Sequence, residues 1–160
     1  MSGPETAWKR SFTGEFDLLM DEKRRIQMPS NWRPEEAGQE ILLVPVPLGV
    51  DGEVYLMGLT PAESEKVGES IDRQLDRGEI SPQYANSLRR LFFGKGQLVK
   101  LDSVGRICVP DKLAQAANLD REVSAVGTGK RFEIWARDRR NRQEVEDQEK
   151  EIEAINQFRL

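Results

Sequence analysis

A nine-residue pattern, Asp-x-x-x-Arg-Ile-x-x-Pro, occurs twice in this chain: as Asp21, Arg25, Ile26 and Pro29, and as Asp102, Arg106, Ile107 and Pro110. Each matched pair is separated by 81 residues, and four positions sharing one offset mark a duplicated unit. The repeat extends past the motif. Phe12 aligns with Phe93, and residues 16–20 align with 97–101 as a short, mostly apolar lead-in of strand character. Glu40, Ile41 and Val44 recur as Glu122, Val123 and Val126 at an offset of 82, so a single-residue indel separates motif from strand. A unit well below about 100 residues buries only a thin core, so the copies are expected to pack on each other or on neighbouring subunits. The expected division is residues 10–80, a first repeat with its helix, and residues 81–160, a second repeat with a C-terminal helix.

The chain of 160 residues contains no histidine, which removes the commonest general base, the commonest transition-metal ligand and the imidazole-dependent hydrolase arrangements. Its single cysteine, Cys108, lies in the alternating stretch Arg106-Ile-Cys-Val-Pro110 and reads as a buried strand thiol. One cysteine makes neither a disulfide nor a Cys-based zinc site within one chain. Gly127-Thr-Gly-Lys130 lacks the spacing of a phosphate loop and the hydroxyl after its lysine, and no carboxylate pair stands out, so neither an enzyme nor a cofactor is expected. No run of 18 apolar residues occurs, and residues 1–8 show no signal-peptide core. A cytoplasmic protein without a membrane partner is the expectation.

The net charge of −4 hides a strong asymmetry. Residues 34–85 carry 11 acids and 3 bases, whereas residues 86–121, around the second motif, carry 7 bases and 3 acids. Screening limits exposed charges to about 8 Å at physiological salt, so an acidic protein still presents a basic face.

Residues 41–46 read as a buried strand that Pro45 or Pro47 interrupts at a sheet edge, and residues 54–57 as its hairpin partner across Asp51-Gly52. Thr60-Pro-Ala-Glu63 is a capping box with proline at the first helical position, and Val67, Ile71 and Leu75 form one apolar stripe ending near Gly78. Ser81-Pro82 opens a second helix with Ala85, Leu88, Leu91 and Phe92 on its inner side. Residues 123–126 and 132–135 are further strands. A terminal helix from about Asp138 places Val145, Ile152 and Ile155 on a narrow stripe and reads as a solvated helix docked by one edge, with a subunit contact as the other reading. The arginines at its start, Arg137, Arg139, Arg140 and Arg142, read as a solvated face, with nucleic-acid contact as the alternative.

Within the second motif, Gly105 falls where a tight turn needs a positive φ, and the turn presents Arg106. Asp102 at the turn entry can accept turn amides and pair with the arginine, fixing the guanidinium for two-pronged contact with phosphate or guanine. Pro110 ends the strand, with Asp111 as a candidate cap for a short helix over 112–117. An isolated Asp-x-x-x-Arg more often staples only its own turn, whereas duplication with Ile and Pro in register favours a shared role.

Leu-Asp-Ser-Val-Gly-Arg-Ile-Cys-Val-Pro, the preceding Leu-Arg-Arg-Leu-Phe-Phe-Gly and the later Val-Gly-Thr-Gly-Lys-Arg-Phe-Glu-Ile-Trp resemble the MraZ family of bacterial regulators over about residues 12 to 145. The resemblance implies an α+β fold: two tandem AbrB-like swapped-hairpin repeats packed as a pseudo-twofold β-barrel, with flanking helices. It also implies a nucleoid-associated transcription factor that assembles into homo-oligomeric rings and binds double-stranded DNA at direct repeats upstream of the division and cell-wall gene cluster. On that basis the DNA-facing residues are Asp21, Lys23, Arg24 and Arg25 in the first turn and Asp102 and Arg106 in the second. The first turn departs from the family pattern, because Arg24 stands where the family has glycine; a positive φ there costs about 1 kcal/mol. A structural or protein-binding scaffold that has lost DNA binding is the competing reading.

Overall fold

The computed structural model describes residues 8, 11–49 and 51–159. The stretch 1–7, on which the expectation of no leader largely rests, lies outside the described residues, as does residue 10, where the first repeat was expected to begin. The strands are β1 (Glu15–Leu19), β2 (Arg25–Gln27), β3 (Glu40–Pro47), β4 (Val54–Leu59), β5 (Gln97–Lys100), β6 (Arg106–Cys108), β7 (Glu122–Gly127) and β8 (Arg131–Ala136). Helices α1 (Pro61–Asp76) and α2 (Pro82–Arg89) follow β4, α3 (Asp111–Ala116) follows β6, and α4 (Arg137–Gln157) follows β8. The class is α+β.

Six strands form one antiparallel sheet in the order β1-β7-β8-β4-β3-β5, and β2 pairs with β6 as a separate two-stranded ribbon. β3–β4 and β7–β8 are hairpins within one half, whereas β1–β7, β4–β8, β3–β5 and β2–β6 join opposite halves of the chain. Leu18 of β1 faces Val123 of β7, and Val99 of β5 faces Ile41 of β3, positions that correspond through the sequence offsets of 81 and 82. Exchanging β1 with β5, β3 with β7 and β4 with β8 reverses the strand order and leaves it unchanged. The expected barrel is not closed among the described residues. β1 and β5 end the sheet without pairing to each other, because each runs through its motif turn directly into the ribbon, which lies across the sheet face.

The ribbon turns Ile26 and Ile107, paired with each other at its centre, inward onto the sheet, and both are fully buried. They join Ile41, Leu43, Leu56, Phe132 and Ile134 in the main core. Each such side chain contributes roughly 1.5–3 kcal/mol by leaving water. Gly58 lets the Phe132 ring cross β4, since a Cβ there would overlap that ring. Phe132 in turn stacks obliquely on Phe12 and Trp32 at 5.1 and 5.4 Å. The alignment of Phe12 with Phe93 does not carry into the packing: Phe12 is core, whereas Phe93 is half exposed on a π-helical turn, Arg90–Lys95.

β3 is buried on both faces. Ile41 and Leu43 meet the ribbon side, while Leu42 and Val44 lie under Val67, Ile71 and Ala85 of α1 and α2, which explains the unbroken apolar run. β5 covers only Glu40 to Leu43, so Pro45 and Pro47 occupy a stretch of β3 that is an edge on that side. Thr60 Oγ1 accepts from the Glu63 amide at 3.2 Å and Ser81 Oγ from the Tyr84 amide at 3.1 Å, capping α1 and α2 as expected. Asp111 does not cap α3. Pro110 holds the cap position, and Asp111, already in the first turn, turns outward to an ion pair with Arg24.

Candidate nucleic-acid interface

Each motif turn is closed in the same way by its own aspartate. Asp21 Oδ1 accepts from the amides of Lys23 (2.9 Å) and Arg25 (2.8 Å), while Oδ2 accepts from Arg25 Nε at 2.7 Å. Asp102 repeats this with the amides of Val104 (3.0 Å) and Arg106 (2.8 Å) and with Arg106 Nε (2.9 Å). Reversal is completed by Arg24 N to Asp21 O at 3.0 Å and Gly105 N to Asp102 O at 3.1 Å. The donor residue must then itself take a positive φ, as in three-residue hairpin loops. Gly105 does so at 82° and Arg24 at 60°, so the glycine-free first turn keeps its shape and carries the strain. Amide donation from the motif arginine, followed by its guanidinium, holds both carboxyls below their ordinary value of 3.8.

Because each aspartate grips its arginine through Nε, the Nη groups of Arg25 and Arg106 make no hydrogen bond among the described residues. The alternation of the ribbon decides where they point. With Ile26 and Ile107 inward, Arg25, Gln27, Arg106 and Cys108 share the outward face. Arg25 lies opposite Cys108 and Arg106 opposite Gln27, so the arginines are diagonal neighbours, roughly 7–8 Å apart by strand geometry. The major groove of DNA admits a two-stranded ribbon, and guanidinium groups suit both guanine edges and phosphates.

The halves brace each other's turns through reciprocal bonds. Met28 N donates to Gly105 O at 3.0 Å, and Val109 N donates to Arg24 O at 2.8 Å. Gln27 Nε2 donates to Val104 O at 2.8 Å, and at the matching place Cys108 Sγ lies 3.3 Å from Lys23 O. Cys108 is thus exposed, contrary to the buried thiol expected from alternation, since the ribbon has one covered face and Ile107 occupies it. All six sequence-derived site residues lie on the turns or the ribbon. Three others emerge beside them: Gln27 on the outward face, Arg33 over Gly105, and Asp111, which takes Arg24 Nη1 at 2.7 Å. Gln27 was within reach of the motif alignment, because it matches Cys108. Arg33 and Asp111 act across the halves and left no local signal.

Of the arginines opening α4, Arg142 is exposed as the solvated-face reading has it, but Arg137, Arg139 and Arg140 are largely covered and stand apart from this interface. Arg137 Nη2 donates to Leu18 O at 2.7 Å, Arg139 Nη1 to Val54 O at 3.1 Å and Arg140 Nε to Glu15 Oε1 at 2.6 Å. They staple the helix onto the sheet. Val145, Ile152 and Ile155 further along remain exposed, so arginines rather than the apolar stripe dock α4.

Fold and site together define a mixed α+β protein whose interlaced sheet supports a basic β-ribbon with two aspartate-clamped arginine turns. The family model described as "MraZ protein, putative antitoxin-like" matches residues 92–159. A protein of Clostridium acetobutylicum named transcriptional regulator MraZ is 32% identical over 128 residues, covering 80% of this chain and 83% of that protein. Its namesake in Caldicellulosiruptor saccharolyticus is 30% identical over 90% of this chain and 93% of its own length. That of Burkholderia cenocepacia is 35% identical over 78% of this chain and 81% of its own. The chain belongs to the MraZ family.

Proposed function

We propose that this chain is a sequence-specific, DNA-binding transcriptional regulator that lays the β2–β6 ribbon in the major groove. The observation that carries this reading is the outward ribbon face, where Arg25 and Arg106 are each fixed by an aspartate and keep their Nη groups available. The names of the relatives support a regulatory role. No helix among the described residues is long and apolar enough to cross a membrane, and the reading places the protein in the cytoplasm, on the nucleoid.

In this reading, residues 10–80 and 81–160 are two swapped-hairpin repeats related by a pseudo-twofold axis, as the matched pairings of Leu18 with Val123 and Val99 with Ile41 suggest. A ring of subunits would align many ribbons along direct repeats upstream of the division and cell-wall genes. Each ribbon offers few contacts, so linked sites supply the affinity.

The combined Arg25→Ala, Arg106→Ala variant is expected to fold normally and to lose about two units of salt dependence per protomer when titrated against the organism's own upstream repeats. Wild-type affinity in this variant would remove the arginines from the interface. Absence of any mobility shift by the wild-type protein at low salt would favour a protein-binding scaffold instead.

A further inference from the structure

The two turns do not carry equal charge of their own. The first ends on Arg24 where the second ends on Gly105. The space beside Gly105 is nevertheless filled by a guanidinium: a Cβ at this position would overlap Arg33 Cδ and lie 2.9 Å from Arg33 Nη1. Arg33 reaches there because Trp32, buried and donating from Nε1 to Thr13 O at 2.8 Å, anchors the preceding 3-10 turn, Ser30–Trp32. From that anchor the exposed arginine extends across to the other half, where Nη1 approaches Val104 O at 3.5 Å. Gln27, on the outward ribbon face, flanks the same position at 3.1 Å, which places Arg33 on the side that presents Arg106.

The counterpart of Arg33 at the offset of 81 is Ala114, so the first turn receives no such arginine from the second half. Instead Arg24 is drawn into an ion pair with Asp111 at 2.7 Å, whereas Arg33 has no ion pair among the described residues. We propose that Arg33 is a phosphodiester-contacting residue of the second turn, supplied by the first half. It doubles the guanidinium charge beside Arg106, giving the second turn a flanking cation where the first has Lys23 and Arg24 of its own. Gly105 is then needed for the space it leaves as well as for its φ. The inference rests on the ribbon being the DNA-binding surface.

The test is fluorescence anisotropy of a labelled random-sequence duplex between about 50 and 200 mM salt, with Arg33→Met, Arg33→Lys, Arg24→Met and Arg106→Ala compared against wild type. Arg33→Met keeps an apolar stem over Gly105 and removes the charge. Its slope of log affinity against log salt is expected to fall by about 0.9 per protomer, with Arg33→Lys close to wild type and Arg24→Met changing less. A wild-type slope in Arg33→Met beside a reduced slope in Arg106→Ala would overturn the role of Arg33 and leave the ribbon reading intact. Unchanged slopes in both would overturn the two together. A reduced slope that lysine fails to restore would assign Arg33 to packing, and thermal melting of each variant shows whether fold loss accounts for any change.

Discussion

At the scale of single residues, Asp21 and Asp102 are the groups on which presentation of the arginines depends. Each uses both carboxylate oxygens, one on two backbone amides and one on the guanidinium. The leading cause of the lowered pKa is the motif arginine's backbone amide, which an alanine would still provide. In a carboxyl titration by NMR, both aspartates are therefore expected to have midpoints below 3.8, and Arg106→Ala should raise the Asp102 midpoint only part of the way back. A full return to the ordinary value would mean the side chain, not the amide, sets the turn. The linkage has a definite sign: a depressed folded pKa contributes stability above the unfolded value of 3.8, and this is lost as pH falls through the folded value. Near neutral pH both clamps are closed, so under the proposed function DNA affinity is expected not to vary through their titration there.

At the scale of elements, α4 tests how much a few charged contacts do. Arg140 is largely covered, bonded to Glu15 at 2.6 Å and 5.9 Å above the Trp135 ring, whereas Arg142 is 63% exposed beside Glu53. Arg140→Ala is expected to destabilise the protein by about 1–3 kcal/mol in urea unfolding and to speed amide exchange in the first turns of α4. Arg142→Ala should cost no more than about 1 kcal/mol, and equal losses in the two variants would refute the staple. These arginines also show where sequence stops being informative. Their acceptors, Leu18 O, Val54 O and Glu15, lie 85 to 125 residues away, so a local reading sees only charge at a helix start. By contrast the capped starts of α1 and α2, the β3 run and the two motif turns are written in adjacent residues, and they appear where the pattern puts them. The motif turns yield six candidate residues for the same reason, while Arg33 and Asp111 leave no local signal because each meets a turn from the other half. Cys108 is exposed where alternation reads it as buried, because alternation names two faces without saying which is covered.

At the scale of the whole molecule, the pairings make each half incomplete. Residues 81–160 on their own would leave β7 without β1, β5 without β3 and β6 without β2, and would expose Ile107, Val123 and Phe132. An isolated ribbon strand has no partner for its amides, and an uncovered core of this size is too thin to hold a monomer. The matched registers offer one escape, since a second copy of the same half presents equivalent strands. Expressed separately, residues 1–80 and 81–160 are therefore expected to be unfolded at low concentration, with 81–160 gaining β structure only as it dimerises. Mixing the two fragments should restore the far-UV spectrum and a cooperative thermal transition at a one-to-one ratio. Analytical ultracentrifugation with circular dichroism across a dilution series separates the outcomes. A fragment that stays monomeric and melts cooperatively would mean that a half completes its own core, and that the twice-written motif marks two independent units rather than one interlocked pair.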